Sequence, residues 1–490
     1  MGPATGGTKE ALFARVLDSQ RRSRPLAWLR ITGDNMPQAS GDERRAQFPT
    51  GTSGSSRTRM RRGSRWRLVT LLVASALLTA WAVPAGAQQP PEADRSLYPV
   101  TQPEAPPEGT DAPYVEGEIR GFATALNISY EAARSLYYFQ PEAIQMVEAA
   151  QDRFPATFAG GWLVDHDRGG ALVLAFTENP DVRVAEIAAD SANAARISGT
   201  QARSSLAQLE VVRERARELL DAQGERMGLF AISTNVRSNR VKLHVKQRTD
   251  AVVRELESLL QSDPIEVVES DQPVLATQPA PTLGCETYIT SCNPLRGGTE
   301  LQTTGNVHAC TYGFNGVRRS DGQAMIFTAG HCPDGVNHSN YPVGPMWSQS
   351  LGPWADAQAV HIGYGWSSSY YVVIYPGAEA YHISHVYTGT NLYDFIVCFT
   401  GATSGPWPPA TEARCGTVTD GDWDGESTNG QEFENQFRFQ LSCTGGDSGS
   451  PVYSNERARG ILWGCAGGYS YASYSHHVQN VTGTDIRVKP

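Results

Sequence analysis

Residues 443–450 read CTGGDSGS and set Ser448 between an aspartate and a glycine. A neutral hydroxyl is a weak nucleophile; it needs a base within hydrogen-bond reach, and that base must be oriented by a carboxylate. The chain supplies both upstream. IFTAGHC (326–332) places His331 after an apolar, strand-like stretch and beside Cys332, and WADAQAVHIG (354–363) places Asp356 at the head of an alternating segment. Taken singly, each has an ordinary reading: a Gly/Asp/Ser turn, a loop histidine, a solvated acid. Taken together, they are the groups that acyl transfer requires. The two glycines before Asp447 also suit a loop whose backbone must approach a substrate oxygen closely, with dihedrals a side chain would obstruct. An α/β-hydrolase elbow needs G-x-S-x-G, and here Ser450 stands where the last glycine belongs.

These residues need a scaffold, and the grammar of the chain after residue 284 predicts a β one. HISHVYTG, YDFIVCFTG and FRFQLSCTG are short, β-branched or aromatic runs punctuated by turn residues, without helical periodicity. An all-β barrel or sandwich of about 200 residues follows. All eight cysteines fall in this region, at Cys285, Cys292, Cys310, Cys332, Cys398, Cys415, Cys443 and Cys465. An even set confined to one region reads as disulfides; a zinc site around His308, Cys310, His331 and Cys332 lacks the paired CxxC of zinc modules.

Residues 112–272 read differently, as an α+β region without a catalytic cluster. TDAVVRELESLLQ (249–261) spaces Val252, Val253, Leu256, Leu259 and Leu260 as a helix does, and GGWLVDHDRGGALVLAF (160–176) predicts two strands around a DRGG turn. The stretch SDQPVLATQPAPTLG (270–284) marks a boundary, with a linker over 273–284 that is extended enough to be cut on maturation. Residues 88–111 are a Pro- and Glu-rich linker. MRRGSRWR (60–67), LVTLLVASALLTAWAV (68–83) and AGA (85–87) form the three parts of a secretory signal over 60–87, the apolar run being shorter than the roughly 20 residues that span a bilayer. Residues 1–59 sit ahead of that signal, and translation is expected to start at Met60. Secretion and no membrane attachment after signal removal follow. The net charge of −10 disfavours nucleic acid and anionic lipid as partners.

FTAGHC, DAQAV and GGDSGSPV, in that order, resemble the chymotrypsin-type serine proteases, closest to the secreted streptogrisin and alpha-lytic branch. The similarity runs from about Cys292 to the C-terminus. CNPLRGG (292–298) resembles the start of the mature enzyme in that branch, and VCFTGATSG with RCGTV (397–418) resembles its second-barrel hairpin. The region before it is similar to the pro-domains of the same branch. The resemblance implies a mature domain over 285–490 of two antiparallel six-stranded β-barrels, with His331 as general base, Asp356 orienting it and Ser448 attacking the scissile carbonyl. It implies an oxyanion hole from the N–H groups of Gly446 and Ser448, and disulfides joining Cys310 to Cys332, Cys398 to Cys415 and Cys443 to Cys465, which leaves Cys285 with Cys292. It implies a monomeric, cofactor-free endopeptidase acting on proteins or peptides, its own pro-domain serving as folding aid and inhibitor until self-cleavage. Leu441 would line the base of the primary pocket and Trp463 with Gly464 one wall, so medium or large apolar residues are expected at the cleaved position and Lys or Arg are not.

Three departures keep open the alternative of an inactive homologue that only binds. Ser450 replaces a glycine in a tight turn. Phe399 stands where an arginine often pairs with the acid before the nucleophile, leaving Arg414 or a newly released N-terminus as the partner of Asp447. Leu462 replaces a serine of the pocket wall. DGDWDGE (420–426) spaces Asp420, Asp422 and Asp424 like the first half of a calcium loop, but Gln431 occupies the twelfth position, so an acidic hairpin competes with a modest calcium site.

Overall fold

The computed structural model describes residues 113–261, 263–276, 293–303, 308–334, 336–338, 341–373, 381–389, 393–405 and 412–490. The expected signal, the segments around it, Cys285 and Cys292 lie outside the described residues.

The N-terminal region is α+β. Helices α1 (Pro113–Leu126) and α2 (Tyr130–Arg153) precede strands β1 (Phe158–Val164) and β2 (Ala171–Phe176), helix α3 (Pro180–Ala188), β3 (Ile197–Gln201), helix α4 (Leu206–Met227), the hairpin β4 (Leu229–Asn235) and β5 (Arg240–Val245), helix α5 (Asp250–Leu260) and β6 (Ile265–Glu269). Helix α5 starts where the sequence directs it, because the Thr249 hydroxyl accepts from the Val252 N–H. It buries Leu256 and Leu260, one turn apart, against Leu209 and Val212 of α4 and Leu243 of β5. Helix α4 carries a reciprocal Ser205–Gln208 capping box and stops at Gly228, whose φ is 67°. The β1–β2 pair forms around the expected turn, with Gly161 opposite Leu174.

The C-terminal region is β-rich. Strand β7 (Val274–Leu275) lies inside the segment expected to be a linker. There follow β8 (Leu295–Gly297), β9 (Glu300–Gln302), β10 (His308–Thr311), β11 (Asn315–Arg318), β12 (Ala324–Thr328), β13 (Val336–His338), β14 (Tyr341–Gly344), β15 (Met346–Leu351), β16 (Asp356–His361), β17 (Ser368–Val372), β18 (Tyr381–His382) and β19 (His385–Val386). The second half holds β20 (Ile396–Phe399), β21 (Arg414–Glu426), β22 (Glu432–Gln440), β23 (Pro451–Ser454), β24 (Arg457–Ala466), β25 (Tyr469–Tyr474), helix α6 (Ser475–Thr482) and β26 (Thr484–Ile486). One sheet runs β15-β16-β12-β11-β26; another runs β20-β23-β24-β25-β22-β21, and β20 also pairs with β21, so that path returns to its start. Not every pairing is antiparallel, since β8 runs parallel to β17 and β19 parallel to β24.

Helix α6 corrects the expectation of no helix after residue 284. It has eight residues, buries Ser475, Val478 and Thr482, and ends at Gly483 with φ 64°. So short a helix shows barely two turns of periodicity, and its Val and Thr residues read locally as strand.

The two regions are not joined by a free tether. Strand β21 continues past β22 to pair with β4, Asp424 facing Ile232 and Gly425 facing Ala231, so β4, β5 and β6 extend the C-terminal sheet. On the other side, the buried Gln140 amide of α2 donates to Ile396 O at 2.9 Å and Asn455 Oδ1 at 2.8 Å and accepts from the Ile396 N–H at 2.6 Å. Phe122, Ile144 and Val147 share one apolar core with Phe395, Phe399 and Val452. Among the described residues no helix is long and apolar enough to cross a membrane.

Candidate active site

The pairing of β12 with β16 brings two distant segments to one sheet end. Thr328 faces Gln358, so the loop after β12, which carries His331, lies beside Asp356, the first residue of β16. The His331 N–H donates to Asp356 Oδ1 at 2.9 Å, and ring Nδ1 lies 2.5 Å from Asp356 Oδ2. Ring Nε2 lies 2.8 Å from Ser448 Oγ. Asp356 is fully buried, and its own N–H donates to Ser473 Oγ at 3.1 Å. The loop is pinned by the Cys310–Cys332 disulfide and by Gln349 Nε2, which donates to Gly330 O at 2.5 Å. A Cβ on Gly330 would fall 1.9 Å from Ser350 O and 2.7 Å from Asp356 Oδ1, so a side chain there would drive the histidine loop off the carboxylate. A metal reading of Cys310, His331 and Cys332 fails chemically, because the two sulfurs are bonded to each other and offer no thiolate.

The loop carrying Ser448 is held by the Cys443–Cys465 disulfide and by Asp447. Asp447 Oδ1 accepts the N–H groups of Thr403 at 3.1 Å and Ser404 at 2.9 Å; Oδ2 accepts the Thr444 N–H at 2.9 Å and the Ser404 hydroxyl. Arg414 reaches Asp447 only through that hydroxyl, its guanidinium lying 4.9 Å from the Phe399 ring centroid. In this uncut chain three backbone N–H groups hold the Asp447 carboxylate, partners that the sequence did not offer, with Arg414 one hydroxyl removed. Ser450 fits because its Oγ donates to Asp447 O at 2.6 Å, closing the turn. The residue that must be glycine is Gly449, with φ 92° and a would-be Cβ 2.1 Å from Thr311 O.

Beside this loop lies the chain's own residue 276. The Gly446 N–H, at φ 93°, donates to Ala276 O at 2.7 Å, and the Ala276 N–H donates to Trp463 O at 3.3 Å. Leu275 and Val274 pair antiparallel with Gly464 and Cys465. Trp463 O also accepts from Ser448 Oγ at 3.3 Å. It is the Trp463 carbonyl, not its indole, that faces this cleft; the indole stacks on Phe433 with centroids 3.9 Å apart and packs with Trp423, Tyr471 and Phe230. Leu462 is buried, its carbonyl accepting from the Gly449 N–H at 2.7 Å. Leu441 packs against the large apolar core, and its carbonyl accepts Ser470 Oγ at 2.6 Å. Strand pairing of 274–276 was not foreseen. The signal for it was Val-Leu-Ala between prolines, a short apolar run in a segment otherwise read as linker.

Asp420, Asp422 and Asp424 lie on β21 and face basic side chains. Asp424 Oδ2 accepts Arg213 Nη2 at 2.7 Å and also Arg217; Asp422 lies 3.4 Å from Arg213; Asp420 meets Lys242 at 2.9 Å and Arg438 at 2.6 Å. Burial would raise the Asp420 carboxyl, but Arg438 and Lys242 hold it well below the usual carboxylate range. The region forms a strand locked to α4 and β5, in place of an exposed acidic tip. The third disulfide joins Cys398 to Cys415, which face each other across β20 and β21.

No family model matches the chain, and no curated protein matches it. Among solved structures it is similar to Thermobifida fusca protease A, with 24% identity, TM-score 0.34 and coverage of 40% of this chain and 98% of that one. A Nocardiopsis protease matches at 22% identity and TM-score 0.33, covering 39% and 98%. A glutamic acid-specific serine protease that uses a histidine triad in substrate binding matches at 23% and TM-score 0.34, covering 39% and 100%. The chain thus resembles chymotrypsin-fold bacterial proteases over about two fifths of its length and carries an additional N-terminal region. At this identity the likeness is one of fold, and the site is read from its own geometry.

Proposed function

We propose that the chain is the precursor of a secreted serine endopeptidase of the chymotrypsin type, its strands after residue 293 forming two barrels, that matures by cutting itself. The observation that carries this reading is the Ala276 carbonyl on the Gly446 N–H, beside a Ser448 hydroxyl that shares a hydrogen bond with a carboxylate-oriented imidazole. His331 Nε2 takes the Ser448 proton as Oγ attacks the carbonyl carbon. The oxyanion is stabilised by the N–H groups of Gly446 and Ser448. Asp356 holds the ring with Nε2 free to accept and stabilises the imidazolium. Collapse passes the proton from His331 to the leaving amine; water then repeats the sequence on the acyl-enzyme, restoring Ser448. Every proton is carried by these side chains, so the chemistry requires no cofactor.

The bond following Ala276 is the proposed maturation site, and a small apolar residue is accepted at the cleaved position. The free enzyme is proposed to act as a monomer on proteins and peptides, with residues 113–276 as its folding aid and inhibitor.

Fluorophosphonate labelling of the secreted product tests the proposal. The parent is expected to give a labelled, mature-sized band beginning at Thr277. Ser448→Ala and His331→Ala are expected to give an unlabelled, full-length precursor. A folded, processed parent that takes no label would instead support the binding-only homologue.

A further inference from the structure

Beyond residues 274–276, the same segment makes contacts that lie outside the catalytic groups. The Thr428 N–H donates to Pro273 O at 2.9 Å. The side-chain amide of Gln272 donates to two carbonyls at once, Glu426 O at 3.0 Å and Ser427 O at 3.1 Å. Glu426 ends β21, and Ser427 and Thr428 begin the turn that joins it to β22. Counted from Ala276, Pro273 is the fourth residue before the proposed bond and Gln272 the fifth.

Resting on the endopeptidase reading, we propose that the β21–β22 turn is an extended substrate clamp: its one N–H receives the carbonyl of the fourth residue before the cut, and its paired carbonyls select a side-chain amide at the fifth. Two carbonyl oxygens aimed at one point accept hydrogen bonds and cannot donate them, so they welcome the NH₂ of Gln and repel the carboxylate of Glu, its isostere. The preference is therefore chemical and not one of size.

The clamp is built from groups that remain after the N-terminal region departs. The Ser427 N–H donates to Gln431 O at 2.9 Å and the Gly430 N–H to Ser427 O at 2.9 Å, closing the turn on itself. Its base is tied to the loop that leads into Asp356: the Glu434 N–H donates to Pro353 O at 2.8 Å, and Gln436 Nε2 to Trp354 O at 3.0 Å. The turn that reads the fifth residue and the carboxylate that orients His331 thus share one loop as support, so the clamp is held in register with the reacting groups.

The test uses mature enzyme purified from the self-processed full chain and the peptide anilides acetyl-Xaa-Pro-Val-Leu-Ala-p-nitroanilide with Xaa as Gln, Ala or Glu. Gln is expected to exceed Ala in kcat/KM by about threefold to tenfold, the range of one ordinary hydrogen bond, and to exceed Glu by more. Equal kcat/KM for Gln, Ala and Glu overturns the clamp while leaving the endopeptidase reading intact. Failure to cleave any of the three, with no fluorophosphonate label on the same preparation, overturns both.

Discussion

His244 shows how a single residue ties the N-terminal region to pH. It is fully buried on β5, its ring nitrogens 2.9 Å from Ser233 Oγ and 3.0 Å from Ser270 Oγ. Facing it are Arg438 of β22, Asp420 of β21 and Lys242 of its own strand. Burial, seconded by Arg438, pushes its pKa down to about 3, so the ring stays neutral in the folded chain while an unfolded chain would protonate it near 6.5. Between those values the unfolded state binds the extra proton, so His244 contributes stability in full above pH 6.5 and loses it as pH falls toward 3. Glu118 works in the opposite direction, since burial raises its carboxyl to about 7 and it penalises the fold as pH rises from 4.5 through 7. In the uncut Ser448→Ala chain, urea midpoints across pH 4–8 are expected to decline on the acid side, and His244→Gln is expected to flatten that decline. An unchanged acid limb in that variant would sink this account.

At the scale of elements, the joint between α4 and β21 is made of charge. Arg213 on α4 is nearly buried and reaches both Asp422 and Asp424, the latter also nearly buried. Removing one member of a buried pair costs more than the pair is worth, because the partner is left charged and unsolvated. Arg213→Ala in the Ser448→Ala chain is therefore expected to lower unfolding free energy by about 3 kcal/mol, read from denaturant curves, whereas Arg226→Ala at the exposed Glu255 pair should leave it nearly unchanged. Comparable losses in the two would show that the joint is not electrostatic. This joint explains why the DGDWDGE stretch was ambiguous: alternate aspartates suit a cation site or a strand face equally, and apart from Arg438 on β22 the cations that settle the matter come from Arg213, Arg217 and Lys242, some 180 to 210 residues away.

Across the whole molecule, the N-terminal region covers what the C-terminal region leaves open. Phe230, Ala231 and Leu275 pack on the aromatic cluster of Trp423, Phe433, Trp463 and Tyr471, and β4 occupies the free edge of β21. A β-rich chain dominated by long-range pairings folds slowly, and an exposed apolar edge during that time invites aggregation. Expression of residues 277–490 alone is expected to yield little active enzyme, with activity recovered when residues 88–276 are supplied on a second chain. Full activity from 277–490 alone would remove the folding role and leave only inhibition.

What the sequence by itself determined was chemical: Ser448, His331 and Asp356 as the candidate reacting groups, the β character of the region holding them and the helix at 249–261, because turn residues, strand alternation and helical spacing are local. What only tertiary structure decided depended on approach between distant segments. The backbone cradle of Asp447 and the seating of Val274 to Ala276 along β24 rest on N–H and C=O groups that no residue name reveals, and the cationic partners of β21 and the closing of Ser450 onto Asp447 O depend on which atoms of other segments those side chains meet. Side-chain chemistry can be read in order along a chain; the position of a backbone amide relative to a remote carbonyl exists only once the chain has folded.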